Sequence, residues 1–132
     1  MTRTEPRWLP RLVVEAIQVD QIREHGGLVG LRDEDALESA LARPKQRWPY
    51  EPEADLAALA AAYAFGLSSH HPFRDGNKRV SFLAAVVFLG LNGIDVVATD
   101  EEVLNTSLAL AAGELEEADL AAWIRSRSQP TN

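Results

Sequence analysis

Nine consecutive residues, His71-Pro72-Phe73-Arg74-Asp75-Gly76-Asn77-Lys78-Arg79, gather an imidazole, a carboxylate, a side-chain amide and three cations. An imidazole titrates near neutral pH and can take a proton from an incoming hydroxyl, so His71 is the candidate general base. A carboxylate is the hard oxygen ligand that Mg2+ prefers and commonly shares with nucleotide phosphates, which makes Asp75 the candidate metal ligand. Gly76 lets the backbone turn closely. The helix that follows leaves its first amides, at about Asn77 to Val80, without intrahelical partners. Such a terminus attracts anions, and Lys78 and Arg79 add positive charge where phosphate oxygens would lie. The combination reads as a Mg2+–nucleotide site. The same residue types would also make an ordinary polar helix start with an Asp–Arg pair.

Two helices must position this loop. Glu53 to Ser69 is alanine-rich and carries Leu56, Leu59, Ala60, Tyr63 and Leu67 on one stripe, which predicts a helix delivering the chain to His70. Asn77 to Asn92 is apolar nearly all round and closes on Gly93, which predicts a central helix covered on every side. Upstream, Val13 and Ile17, with Leu12, Ala16, Val19 and Ile22 beside them, give a helix from Pro10 to His25 that Gly26-Gly27 ends. Asp33 is a suitable N-cap for a second helix, with Glu34 and Asp35 in its first turn and Pro44 expected to stop it. Pro44 to Pro52 holds three prolines and reads as an exposed flap. There Trp48 and Tyr50, beside Lys45 and Arg47, suit either a partner polypeptide or folding back onto the domain.

Downstream, Thr99 to Glu102 has the form of a capping box that opens a helix through Ala112, and Gly113 ends it. A last helix from about Glu116 to Ser126 would bury Leu120, Trp123 and Ile124, and the acidic run Glu114, Glu116, Glu117, Asp119 is its solvated start. Arg7 to Leu9 and Asp95 to Val97 could form short strands, but nothing alternates long enough for a sheet. His70 and His25 read as structural or helix-end residues, and Trp8 and Trp123 as packing. The class is all-α. One domain over 1–132 is expected, with its core at about 7–125 and a disordered tail at 127–132.

The chain has no cysteine, which removes disulfides, thiolate zinc sites and a cysteine nucleophile. Its start is interrupted by Pro6, Pro10 and several arginines, unlike a signal peptide, and Val80 to Gly93 falls short of the roughly 20 residues that cross a bilayer. Cytoplasm is the expected compartment, with no membrane contact. A net charge of −7 argues against an extended nucleic-acid surface, so any anion site must be local.

The order of residues in the loop separates the two readings that their types leave open. It resembles the Fic-family signature H-x-F-x-[DE]-[AG]-N-[GK]-R at every specified position, and its lysine is the mark of the Doc (death on curing) branch. The stretches His25-Gly26-Gly27, Gly30-Leu31-Arg32-Asp33 and Ser39 to Pro44 also look like Doc-type proteins, as does Asn92-Gly93 after the central helix. The resemblance implies the compact all-helical Fic/Doc fold. It further implies that His71 is the base, Phe73 the buried anchor of the loop and Asp75 the Mg2+ ligand. By the same likeness Asn77, Lys78 and Arg79 hold the phosphates of ATP, and Gly76 supplies an anion-hole amide.

Most Fic relatives transfer AMP and have glycine where this chain has Lys78, and many have a second arginine where it has Phe82. Both departures imply γ-phosphoryl transfer to a protein hydroxyl, with a threonine of elongation factor Tu as the implied target. The alternatives are AMP transfer and a catalytically silent binding module. Self-inhibited relatives carry a helix of the form [ST]-x-x-x-E-[GN], which is absent here. The expected partner is therefore a separate Phd-like antitoxin whose C-terminal segment docks near the active-site groove.

Overall fold

A computed structural model describes residues 3–131. Met1, Thr2 and Asn132, at the ends of the expected domain and tail, lie outside the described residues. Six helices follow one another: α1 (Arg11–His25), α2 (Glu34–Tyr50), α3 (Leu56–His70), α4 (Asn77–Leu91), α5 (Asp100–Ala111) and α6 (Glu117–Ser126). Strand β1 (Ile94–Val96) precedes α5, and β2 (Ser128–Pro130) follows α6. The architecture is all-α, as expected. No described helix is long and apolar enough to cross a membrane.

The centre is the pair of packed neighbours α3 and α4, joined by the signature loop. Along α3 every residue from Ala57 to Ala64 is buried, and Leu59, Tyr63 and Leu67 are enclosed with Phe88 and Leu89 of α4. Small side chains explain the closeness. A Cβ at Gly66 would come within 3.3 Å of the Ala40 backbone, so α2 lies directly on α3. Each fully buried Leu or Phe is worth about 1.5–3 kcal/mol of transfer free energy. α4 buries Val80, Phe82, Ala84, Ala85, Phe88 and Leu89 but leaves Gly90 and Leu91 exposed, so α3 is the more completely covered helix.

Three expectations need correction. The second helix does not stop at Pro44 but runs to Tyr50 through both Pro44 and Pro49, and there is no extended flap over that stretch. An interior proline costs about 3 kcal/mol, so tertiary contacts must offset the loss. Pro44 itself is buried and Trp48 packs on the core. Arg47 binds Glu51 at 2.6 Å, Glu117 at 2.9 Å and the Ala58 carbonyl at 3.2 Å, which ties the end of α2 to α3 and α6. Arg43 also pairs with Glu117. Arg3 caps this corner, lying 4.6 Å over the Trp48 ring and donating to the Trp48 and Ala54 carbonyls.

The tail is also ordered where a disordered one is expected. β2 pairs antiparallel with β1, Ile94 opposite Pro130 and Val96 opposite Ser128, and just beyond it Thr131 N–H reaches the Gly93 carbonyl at 2.9 Å. Arg7 to Leu9, by contrast, forms no strand. Its extended backbone is paired by a side chain, since Asn92 Oδ1 accepts from Arg7 N–H at 2.8 Å and Asn92 Nδ2 donates to the Arg7 carbonyl at 3.0 Å.

The third correction concerns the inward face of α1. The buried residues are Val14, Gln18, Gln21 and Ile22, while Val13 and Ile17 are half-buried and Leu12 is 78% exposed. A hydrophobicity pattern places the leucine inside and the glutamine outside. The reverse holds because Gln18 finds a full set of hydrogen-bond partners in the loop described below.

Asp55 joins two elements at once. It caps α3 by accepting from Ala58 N–H at 2.9 Å, and it receives a two-pronged pair from Arg125 of α6 at 2.6 and 2.9 Å. The Arg125 guanidinium holds the Asp55 carboxyl below its ordinary value. Asp55→Ala is expected to cost about 1 kcal/mol as a lost cap, with a few tenths more from the partly exposed pair. A depressed carboxyl pKa stabilises fully above the unfolded value, about 3.9, and less as pH falls through the folded value. Thermal unfolding of both proteins should therefore show a gap at neutral pH that narrows near pH 2. A gap independent of pH would contradict the pairing.

Candidate active site

The site begins where α3 ends. His71 is its C-cap, with φ 48° and ψ 57°, and is the one non-glycine residue with positive φ among the described residues. Its side chain is exposed, as is that of His70. Phe73, 2% exposed, plugs into the core and anchors the loop. Asn77 clamps that anchor, its Oδ1 accepting from Phe73 N–H and its Nδ2 donating to the Phe73 carbonyl, both at 3.0 Å. What Asn77 can offer an anion is thus chiefly its backbone amide in the first turn of α4.

Gly76, in a left-handed conformation, is the N-cap of α4, and no side chain caps that helix. Lys78 is exposed and Arg79 half-buried. Among the described residues neither joins an ion pair. The Arg79 Nε is buried without a hydrogen-bond partner, as are those of Arg43 and Arg127. Uncapped amides and two unpaired cations fit a phosphate group.

Asp75 presents its carboxylate beside this terminus. Oδ2 accepts from Leu28 N–H at 2.7 Å. A Cβ at Gly27, where φ is +118°, would stand 3.0 Å from the Asp75 Cβ and 3.2 Å from Oδ2, so this close approach requires glycine. No group of three or more His, Asp or Glu that could cage a metal occurs among the described residues. A lone carboxylate next to an uncapped, cationic helix start is nevertheless a donor set that Mg2+ can use when nucleotide oxygens and water complete its shell.

A second strip of backbone supports the loop. The α1–α2 connection forms a bridge between Leu31 and Phe73, with Arg74 N–H reaching the Gly30 carbonyl at 3.0 Å. Arg32 N–H and Asp33 N–H both reach the Pro72 carbonyl, at 2.8 and 3.1 Å. Gln18, 1% exposed, locks the two strips together. Its Nε2 donates to the Leu28 and Asp75 carbonyls and its Oε1 accepts from Gly30 N–H, each at 3.1 Å. Sequence reasoning missed Gln18. The available signal was a polar residue four positions from Val14 and four from Ile22, on a face that must be buried.

Phe82 is buried and packs edge-on to Trp123 at 5.6 Å, so this position belongs to the core. Lys78 borders a shallow hollow with Leu108, Ala109 and Glu114. A larger concavity lies far from His71, lined by Arg47, Tyr50, Glu117, Ala121 and Arg125. Arg47 there pairs with Glu51 and Glu117, and Arg125 with Asp55 at its edge, and the concavity contains none of the loop residues.

An all-α fold built around a histidine-led loop and a cationic helix start defines the class, and sequence comparison agrees. The Fic/DOC family profile matches residues 8–89, from Trp8 before α1 into the last turns of α4. The chain belongs to the Fic/DOC family. It is 31% identical over 110 residues to the "Protein kinase doc" of Escherichia phage P1, covering 83% of this chain and 86% of that one. It is 40% identical over 75 residues to the "Toxin Doc" of Mycolicibacterium smegmatis, covering 55% of this chain and 57% of that one. Within the family the chain is thus Doc-like.

Asp75→Asn keeps an acceptor for Leu28 N–H while removing the charge. The folded protein is expected to retain its thermal midpoint but lose the Mg2+-dependent part of its ATP affinity. Titration calorimetry with and without Mg2+ measures this. Equal Mg2+ dependence in both proteins would place the metal elsewhere.

Proposed function

We propose that this chain is a Doc-type toxin that transfers the γ-phosphoryl group of ATP to a protein hydroxyl. The implied target is a threonine of elongation factor Tu, whose modification would halt translation. The observation that carries the reading is an uncapped helix start flanked by Lys78 and Arg79, neither of which joins an ion pair among the described residues. That arrangement supports phosphate binding, and the names of the two relatives support a toxin and a kinase.

In this reading His71 accepts the proton that the attacking hydroxyl loses. Lys78 and Arg79, with the amides of Gly76 and the first turn of α4, hold the negative charge of the phosphates. Asp75 would hold Mg2+, which when bound neutralises phosphate charge and favours loss of ADP. Lys78 occupies the place where a glycine would leave room for the outer phosphates of an AMP donor. It thereby favours the orientation that turns the γ-phosphoryl toward His71.

ATP labelled at the γ or the α phosphate, incubated with protein extract, tests this directly. The expected result is γ-label on one dominant protein, a fall of roughly 10² to 10⁴ in His71→Ala and loss of γ-transfer in Lys78→Gly. Transfer of α-label by the natural protein would mean AMP transfer instead, and no label at all a silent domain.

The absence of an internal ion-pair partner for Arg79 among the described residues supports control by a separate, Phd-like antitoxin docking near the groove. Expression alone should arrest growth in a His71-dependent way, and co-expression of the small neighbouring reading frame should restore it. Harmless accumulation of active enzyme without any partner would count against this control.

A further inference from the structure

Arg32 stands outside the signature, and its side chain is exposed. Both its side-chain hydrogen bonds nonetheless go to the backbone that carries His71. Nε donates to the His71 carbonyl at 2.7 Å and Nη2 to the His70 carbonyl at 2.9 Å. These carbonyls close α3, where a helix leaves acceptors unmet and its dipole favours a cation. The guanidinium is a rigid planar fork, so two donors fixed in one plane hold the two peptides that flank His71, His70–His71 by the His70 carbonyl and His71–Pro72 by the His71 carbonyl.

The backbone at His71 has reason to need holding. The left-handed φ of His71 is unfavourable for a residue with a Cβ and persists only where the surroundings enforce it. The next peptide, Pro72–Phe73, is gripped by the same segment, because the Pro72 carbonyl accepts from the backbone amides of Arg32 and Asp33. Asp33 is in turn the N-cap of α2, accepting from Ala36 N–H at 3.0 Å, so the grip is anchored on a rigid helix.

We infer that Arg32 is a positioning residue, holding His71 in its left-handed conformation so that the imidazole faces the substrate hydroxyl. The catalytic half of this rests on the proposed role of His71 as base. Arg32 itself touches no reacting group. A purely structural cap on α3 would affect stability alone, whereas a positioning residue affects turnover with the fold and nucleotide binding intact.

Arg32→Ala and Arg32→Lys, compared with the natural protein and His71→Ala, distinguish the two. Expected for Arg32→Ala is a loss of about ten- to hundredfold in kcat, with ATP affinity and KM for the protein substrate within about twofold. Arg32→Lys, which keeps the charge and one donor, should recover part of the loss. The backbone amide and ring resonances of His71 should move in Arg32→Ala while those of α5 and α6 stay. Unchanged kcat in Arg32→Ala alongside an inactive His71→Ala would overturn the inference, as would unchanged His71 resonances. Full activity in His71→Ala would instead overturn the assignment of the base, and the resonances would still decide whether Arg32 sets the conformation of His71.

Discussion

The signature loop depends on being paired along its length with a second piece of backbone. A loop carrying an imidazole, a carboxylate and three cations has no apolar stripe of its own to bury beyond Phe73. Its polar backbone would be costly beside a core if left unmet. The α1–α2 connection meets it, through the Leu31–Phe73 bridge and the paired groups of Pro72 and Arg74. Gln18 completes the arrangement from the buried face of α1, with its donor group shared between the two strips and its acceptor used on one. Replacing it by an apolar residue of similar size would leave three backbone groups to find other partners.

From this pairing the charge distribution of the site follows. The carboxylate of Asp75 is bound to the connection through Leu28 N–H, while Lys78 and Arg79 in the first turn of α4 keep their charges outside any ion pair among the described residues. The chain as a whole is acidic, with a net charge of −7, and several of its other arginines pair with carboxylates: Arg11 with Glu15, Glu34 and Glu38, Arg47 with Glu51 and Glu117, Arg125 with Asp55. Lys78 and Arg79 are outside these pairs. A local positive patch on an acidic molecule suits a small polyanion and disfavours long nucleic acid.

The scaffold keeps these groups in place by close helix packing. Alanines along α3 and the missing side chain at Gly66 let α2 lie against it, and Tyr63 O–H accepts from Leu9 N–H at 3.1 Å to hold the entry to α1. The end of α2 survives two prolines because Arg47, Arg43 and Trp48 bind it to its neighbours. Both ends of the signature loop are consequently fixed to helices that cannot move independently.

Much of this was legible in residue order alone. The helix starts at Asp33 and Thr99, the left-handed closures at Gly26 and Gly93, the alanine-rich α3 and the nine-residue loop are local features, set by side-chain chemistry within a few residues of each position. Gln18, Arg32 and the bonds of Asp75 were not legible in that way. Their partners lie 10 to 57 residues distant, and only the folded chain brings them together. For the same reason the end of α2 and the C-terminal strand ran against local preference: prolines and a polar tail argue for loops until arginine pairs and a strand edge supply what their own neighbours lack. By itself the sequence determined which groups could do chemistry and which helices would form. The tertiary structure decided how those groups are held, because a hydrogen bond across the fold depends on packing that residue order does not display.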